Sequence, residues 1–231
     1  MLRISGLNQF YGQSHTLWDI DLDISKGACL CLMGRNGVGK TTLLNCIMGL
    51  LPIQSGEVTL ARESMTGVNV EQRARRGIGY VPQGRMIFPL LTVEENLRIG
   101  LPARRSPSNT IPDRIFDLFP VLAQMRQRRG GDLSGGQQQQ LAIGRALVLE
   151  PDLLILDEPC EGIQPNIVTE IGDVIMQLNR TEGMTVLLVE QKLPFARRVA
   201  STFTIVDKGR IVADGDIAQL DDALVAEYLT V

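Results

Sequence analysis

The chain has no apolar run approaching the roughly 20 residues needed to cross a bilayer, so no membrane-spanning helix is expected. Its opening residues, MLRISGLNQFYG, contain no apolar core of a signal peptide. The reading is of a chain neither inserted nor exported, whose membrane role, if it has one, runs through a partner. Surplus positive charge is also missing. Lysine and arginine number 23 against 26 acidic residues, a net charge of -3, which removes the electrostatic case for nucleic-acid binding. Metal-ligating residues are sparse. There is one histidine, His15, and there are four cysteines: Cys29, Cys31, Cys46 and Cys160, with no CxxC spacing. They read as cytosolic thiols packed as small hydrophobes, Cys29 and Cys31 on one side of a strand. No repeat or low-complexity tract is present; the run Gln137–Gln140 is too short and falls on a helix. Arg73, Arg75 and Arg76, like Arg126, Arg128 and Arg129, are expected as solvated faces.

What is present is enough for a full core. With 231 residues and 44% hydrophobic content, the chain suits one large domain or two closely joined lobes. Short apolar runs alternate with helical patterns, which predicts a parallel sheet covered by helices. Ala28–Met33, Leu153–Leu156, Thr185–Val189 and Phe203–Val206 are apolar nearly throughout, as strands buried on both faces are. Trp18, Ile20, Leu22 and Ile24 alternate with polar residues and predict a half-exposed antiparallel strand. Ile211–Ala213, after Lys208-Gly209, reads as a hairpin partner of the preceding strand. From Thr92 to Leu149 the pattern is helical. Thr92 and Glu95 form a capping box. Leu101–Pro112, with Pro102, Pro107 and Pro112, reads as a loop, and Gly136–Leu149 as a helix carrying Leu141, Ala142, Ala146 and Leu149 on one face.

Two glycine motifs carry the chemistry. The first is GRNGVGKTT: Gly34, the four residues Arg35, Asn36, Gly37 and Val38, then Gly39, Lys40, Thr41 and Thr42. This is a complete phosphate-loop pattern, preceded by a buried strand and followed by a helix. Its glycines let successive N–H groups converge on phosphate oxygens, and the helix N-terminus adds about half a positive charge. Lys40 is expected to reach the β and γ phosphates of a nucleoside triphosphate, Thr41 to bind Mg²⁺, and Thr42 to touch the α phosphate. The strand ending in Asp157-Glu158 is expected to lie beside that loop, with Asp157 in the Mg²⁺ shell and Glu158 as the base that polarises water. The fold is therefore read as α/β, a P-loop NTPase (RecA-like) core with an N-terminal antiparallel β part. A helical subdomain at about 91–150 interrupts a core of 1–90 and 151–231.

The second motif is LSGGQ, Leu133 to Gln137, a glycine turn opening a helix. LSGGQ about a hundred residues after the phosphate loop, followed by LLILDEP, resembles the ATP-binding subunit of ABC transporters, over nearly the whole chain. That resemblance implies ATP and Mg²⁺ as cofactors and roles for two more residues. Tyr11 is similar to the aromatic that stacks on adenine, and Gln83 to the glutamine that contacts Mg²⁺ and the membrane partner. It also implies that two cassettes meet head to tail, so that Ser134, Gly135, Gly136 and Gln137 of one face the γ phosphate held by the other. RGIGYVPQGRMIFPLLTVEENL and LVEQ are similar to the branched-chain amino acid and urea branch. LNQFYGQSHTLWDIDL, CLMGRNGVGKTTLLNCIMGLLP and DEPCEGIQPNIV look most like its urea-transporting member.

Two departures from the family pattern stand out. Gln191 occupies the place where many members carry a histidine, and it can donate to phosphate but cannot become cationic. Gly162-Ile163-Gln164-Pro165 lacks the aspartate of many relatives. The expected partners are a second ATPase subunit, most simply a different one, transmembrane permease subunits and, indirectly, an external solute-binding protein. The expected place is the cytoplasmic face of the inner membrane, peripherally bound. A branched-chain amino acid importer and a non-transport ATPase of the same family are the alternatives. A P-loop kinase or GTPase is disfavoured by LSGGQ and by the absence of NKxD.

Overall fold

In a computed structural model, which describes residues 1–104 and 108–230, the chain folds around two sheets. Strands β1 (Leu2–Tyr11), β2 (Ser14–Ile24), β4 (Ser55–Leu60) and β5 (Glu63–Ser64) form an antiparallel sheet in the order β2-β1-β4-β5. Strands β3 (Cys29–Met33), β6 (Ile78–Val81), β7 (Leu153–Asp157), β8 (Thr185–Val189), β9 (Thr202–Asp207) and β10 (Arg210–Asp216) form the second, in the order β10-β9-β3-β8-β7-β6. All its neighbours pair in parallel except β9 and β10, which make the expected hairpin.

Side-chain alternation along the parallel strands divides the interior into two layers. On β3, Cys29, Cys31 and Met33 pack into one cluster and Leu30 and Leu32 into the other. On β8, Val186 and Leu188 take the first side and Leu187 and Val189 the second. The second cluster fills the space between the parallel sheet, helix α1 (Lys40–Met48) and the antiparallel sheet. The first lies under α6 (Gly135–Leu147), α7 (Pro165–Met176) and α8 (Leu193–Val199), and continues into the helices that separate β6 from β7. Both faces of the sheet are thus covered, which is why these strands read as unbroken apolar runs. All four cysteines are free and buried.

Between β6 and β7 the elements are α3 (Val93–Arg98), α4 (Asp113–Leu118), α5 (Pro120–Gln124) and α6, with α2 (Val70–Arg75) preceding β6. Thr92 caps α3 reciprocally with Glu95, as expected. Pro107 of the expected loop lies outside the described residues. The fold class read from the sequence is the one observed.

Two expectations are corrected. The alternation in β2 does not include Trp18: Leu17 and Ile20 are fully buried while Trp18 and Asp19 face outward. A bulge causes the slip, with Asp19 held at φ 45° and bonded both ways to Asn8. Arg73 is not a solvated residue. Its guanidinium is buried and donates to the carbonyls of Val68, Cys46, Ile47 and Met65, closing the C-terminal end of α1. A cation there complements the helix dipole and takes up carbonyls that the helix leaves unpaired.

Candidate functional site

The segments that follow β3, β6 and β7 converge on one cleft of about 370 Å³, lined by Thr16, Asn36, Gly37, Gly39, Lys40, Thr41, Thr42, Gln83, Glu158 and Glu161. The loop between β3 and α1 forms its floor. Gly34 sits at φ 140°, and a Cβ there would lie 2.2 Å from the carbonyl oxygen of Val206, so only glycine fits. Lys40 is buried at the start of α1, its Nζ donating to the carbonyls of Gly34 at 2.7 Å and Arg35 at 2.8 Å. Burial pulls its pKa below the ordinary lysine value, and the charges of Glu158 and Asp157 oppose that pull.

Asp157 closes β7 at 2% exposure, with Oδ2 accepting from the Thr41 hydroxyl at 3.2 Å and Oδ1 buried without a hydrogen-bond partner. Burial raises its pKa from the ordinary 3.8 to about 6; the Thr41 bond and Lys40 act against the rise. A buried carboxylate with an open oxygen, beside a hydroxyl and an ammonium, suits a hard cation carried in with phosphate.

Glu158 follows in a left-handed conformation, φ 49°, with its amide donating to the carbonyl of Val189. Two side-chain amides hold its carboxylate. Gln191 Nε2 donates to Oε1 at 2.5 Å and also to Asn36 Oδ1 at 2.8 Å. Gln83 Nε2 donates to Oε2 at 3.3 Å and to Glu161 Oε2 at 3.0 Å, which leaves the Gln83 carbonyl oxygen unused by that pair. Loops after β3, β6, β7 and β8 are therefore tied through one carboxylate.

Other predicted residues lie elsewhere. Arg35 sends its side chain away from the cleft, donating to the carbonyls of Glu227, at 3.2 Å, and Thr230, at the end of α9 (Asp222–Tyr228). Gly34, Arg35 and Val38 belong to the loop but are not cleft-lining. Tyr11, half exposed, ends β1 and does not line the cleft either. Behind it Phe10, His15 and Trp18 stack with centroid spacings of 3.9 and 3.5 Å, and Arg210 lies 4.9 Å from the Trp18 ring.

Ser134 to Gln137 form a separate feature. Ser134 caps α6, its hydroxyl accepting from the Gln137 amide at 3.3 Å while Gln137 Oε1 accepts from the Ser134 amide at 2.9 Å. Gly136 packs so close to α7 that a Cβ would come within 2.8 Å of Ile167. None of the four touches the phosphate-loop cleft. Arg85, at φ 68°, joins this turn to the loop after β7, donating to Gln138 Oε1 at 3.3 Å and to the carbonyl of Glu161 at 3.4 Å.

Sequence reasoning overlooked Thr16, Glu161 and Arg85. Glu161 had a signal, an acid three residues beyond Glu158 on the same turn. Thr16 had none, because only the approach of β2 to the loop brings it to the cleft.

A phosphate loop on a parallel sheet, an acid pair ending the neighbouring strand and a capped glycine turn on a helical insertion define an ATP-hydrolysing cassette. The ABC transporter family model matches residues 17–161, and the chain belongs to that family. It is 40% identical over 213 residues to the high-affinity branched-chain amino acid transport ATP-binding protein BraG of Pseudomonas aeruginosa, covering 92% of this chain and 91% of that one. The probable branched-chain amino acid transport ATP-binding protein LivF of Archaeoglobus fulgidus is 38% identical over 223 residues, 95% and 94% of the two chains. The dimeric structure of the bacterial ABC transporter cassette MJ0796 superposes with a TM-score of 0.84 at 26% identity, covering 94% of this chain and 99% of that one. The protein is an ABC ATPase.

Proposed function

We propose that the chain is the ATP-hydrolysing subunit of an importer of the branched-chain amino acid and urea branch, docked on the cytoplasmic face of a membrane permease. The observation that carries the mechanism is Glu158, held between Gln83 and Gln191 at the mouth of the phosphate loop. In this reading the amides of Gly34–Thr42 take the phosphates and Lys40 leaves the carbonyls of Gly34 and Arg35 for the β and γ oxygens. Thr42 meets the α phosphate and Tyr11 the adenine. Thr41, Asp157 and the Gln83 carbonyl oxygen would hold Mg²⁺, consistent with the open Oδ1 of Asp157. Mg²⁺ held there would supply positive charge against the phosphates. Glu158 takes a proton from the attacking water as its oxygen bonds to the γ phosphorus and the bond from that phosphorus to the bridging oxygen breaks, releasing ADP and phosphate. Gln191, lacking charge, orients that base rather than driving the step.

The γ phosphate needs donors on its far side as well. Ser134, Gly135, Gly136 and Gln137 lie outside this chain's own cleft, so they serve the site of a second ATPase subunit, and that subunit's turn serves this one. Each charge-assisted hydrogen bond contributes about 1.5–3 kcal/mol. ATP thereby favours the closed pair, and phosphate release opens it. Gln83, between the core (1–90 and 151–231) and the helical lobe (about 91–150), passes the closure to the permease. A solute-binding protein delivers the solute from outside.

For the solute, BraG and LivF support a branched-chain amino acid. The segments LNQFYGQSHTLWDIDL and DEPCEGIQPNIV support urea or a short amide. None of these segments touches the solute in the proposed arrangement. Reconstitution with the sister ATPase, permease and binding protein separates the two. Uptake of leucine with coupled ATP hydrolysis establishes the first, and uptake of urea the second. ATPase activity that neither permease nor solute stimulates would refute the transport reading.

A further inference from the structure

Glu190 lies beneath the site, and the mechanism above does not use it. It is 3% exposed, directly after β8 and before Gln191. Its Oε1 accepts from two consecutive backbone amides, Gln191 N at 2.8 Å and Lys192 N at 3.0 Å. Its Oε2 is buried and accepts no N–H or O–H bond among the described residues. Cys160 lies close enough for the carboxylate, after burial, to push its thiol well above the ordinary range.

The same two loops meet twice more. The Gln191 side chain reaches Glu158, and Lys192 Nζ donates to the carbonyl of Cys160 at 2.7 Å. Burying a carboxylate is costly, and an apolar side chain would fill this position at lower cost. What the carboxylate does is hold two amides that would otherwise be free to turn. Those amides set where the Gln191 side chain points. One oxygen accepting from two consecutive amides holds the loop more firmly than a turn of its length would be held.

We infer that Glu190 is a positioning residue for ATP hydrolysis: its buried carboxylate fixes the loop Gln191–Lys192 so that Gln191 stays on Glu158 and Asn36. The inference rests on the proposed role of Gln191 in turnover. It concerns the rate of the chemical step and not ATP affinity, because Glu190 does not line the nucleotide cleft.

The test compares kcat and KM for ATP in the assembled transporter. Glu190→Ala and Glu190→Asp, which remove or retract the acceptor, should each lower kcat about tenfold, which is about 1.4 kcal/mol, with KM for ATP within about twofold of the parent. Glu190→Gln, which keeps an acceptor oxygen for both amides, should retain most of the rate. Thermal melts establish that each variant is folded; should Glu190→Ala fail to fold, the shortened Asp and the isosteric Gln decide. Placed on Gln191→Ala, Glu190→Asp should cost no further rate, since the side chain it positions is gone. Unchanged kcat in both Glu190→Ala and Glu190→Asp would overturn the inference alone, provided Gln191→Ala is slow. Multiplying effects in the double variant, or losses confined to KM, would overturn it as well. A Gln191→Ala protein with unchanged kcat would overturn both this inference and the reading of Gln191 beneath it.

Discussion

The two glycine turns of this chain are built on the same principle, amides aimed from a helix N-terminus, yet the fold treats them differently. The phosphate-loop turn is wired into its own chain. Lys40 reaches back to Gly34 and Arg35, Thr41 bonds Asp157, and Asn36 bonds Gln191, which in turn bonds Glu158. The turn of Ser134 to Gln137 is bonded to itself through its capping box and faces none of those groups. The first has titratable groups at hand. The second has none of them near it, and in the proposed reading it covers the site of another subunit. Such a pair makes sense when the missing parts come from another subunit.

Breaking the wired side should have the largest effect. Lys40→Ala removes the buried cation that lines the cleft, and ATPase activity should fall about 10³-fold, with loss of the thermal stabilisation by ATP. Glu158→Gln should keep ATP binding and slow turnover by 10²-fold or more, roughly the contribution of a general base. An ATP-bound pair should then accumulate, visible by size-exclusion chromatography with multi-angle light scattering; rapid turnover in this variant would remove Glu158 as the base. Gln191→Ala should cost about tenfold in kcat with ATP affinity nearly intact; an unchanged rate would reduce this residue to packing.

The smallest effect is on stability, and it has the opposite sign. Asp157 titrates near 6 in the folded chain and at 3.8 ordinarily. Its folded value lies above the unfolded one, so ionisation costs stability. The penalty is absent below pH 3.8 and grows as pH rises through 6. At about 1.4 kcal/mol per pH unit the ceiling is about 3 kcal/mol. Asp157→Asn should therefore stabilise the nucleotide-free protein by about 1–2 kcal/mol at pH 7.5 and by nothing at pH 3.5, while abolishing Mg²⁺-dependent ATP stabilisation. Equal melting temperatures of the two proteins at pH 7.5 would contradict the burial argument.

The comparison also explains what could be read in advance. Both turns were legible as helix openings because glycines and a hydroxyl stand at fixed spacing in each, and the strands β3, β7 and β8 because burial on both faces leaves an unbroken apolar run. The half-exposed sheet was harder. One bulged residue, Asp19, shifts the pattern by one and hides that Leu17, not Trp18, faces inward. Arg73 looked like surface charge because its four carbonyl partners come from the end of α1 and from the segment before α2. Thr16 and Arg85 depend on tertiary approach and left no local trace. Glu161 and Glu190 did stand beside recognised residues, but what a neighbouring acid holds is visible only once the loops are placed.

The central claim is that the Ser134 turn works for a site held by another subunit, and Ser134→Arg in the assembled transporter tests it most directly. Vanadate trapping with an azido-ATP photolabel reads each ATPase subunit separately. The account predicts that this chain still traps nucleotide while its sister subunit loses trapping by about 10²-fold. Trapping lost from this chain and kept by the sister would contradict it.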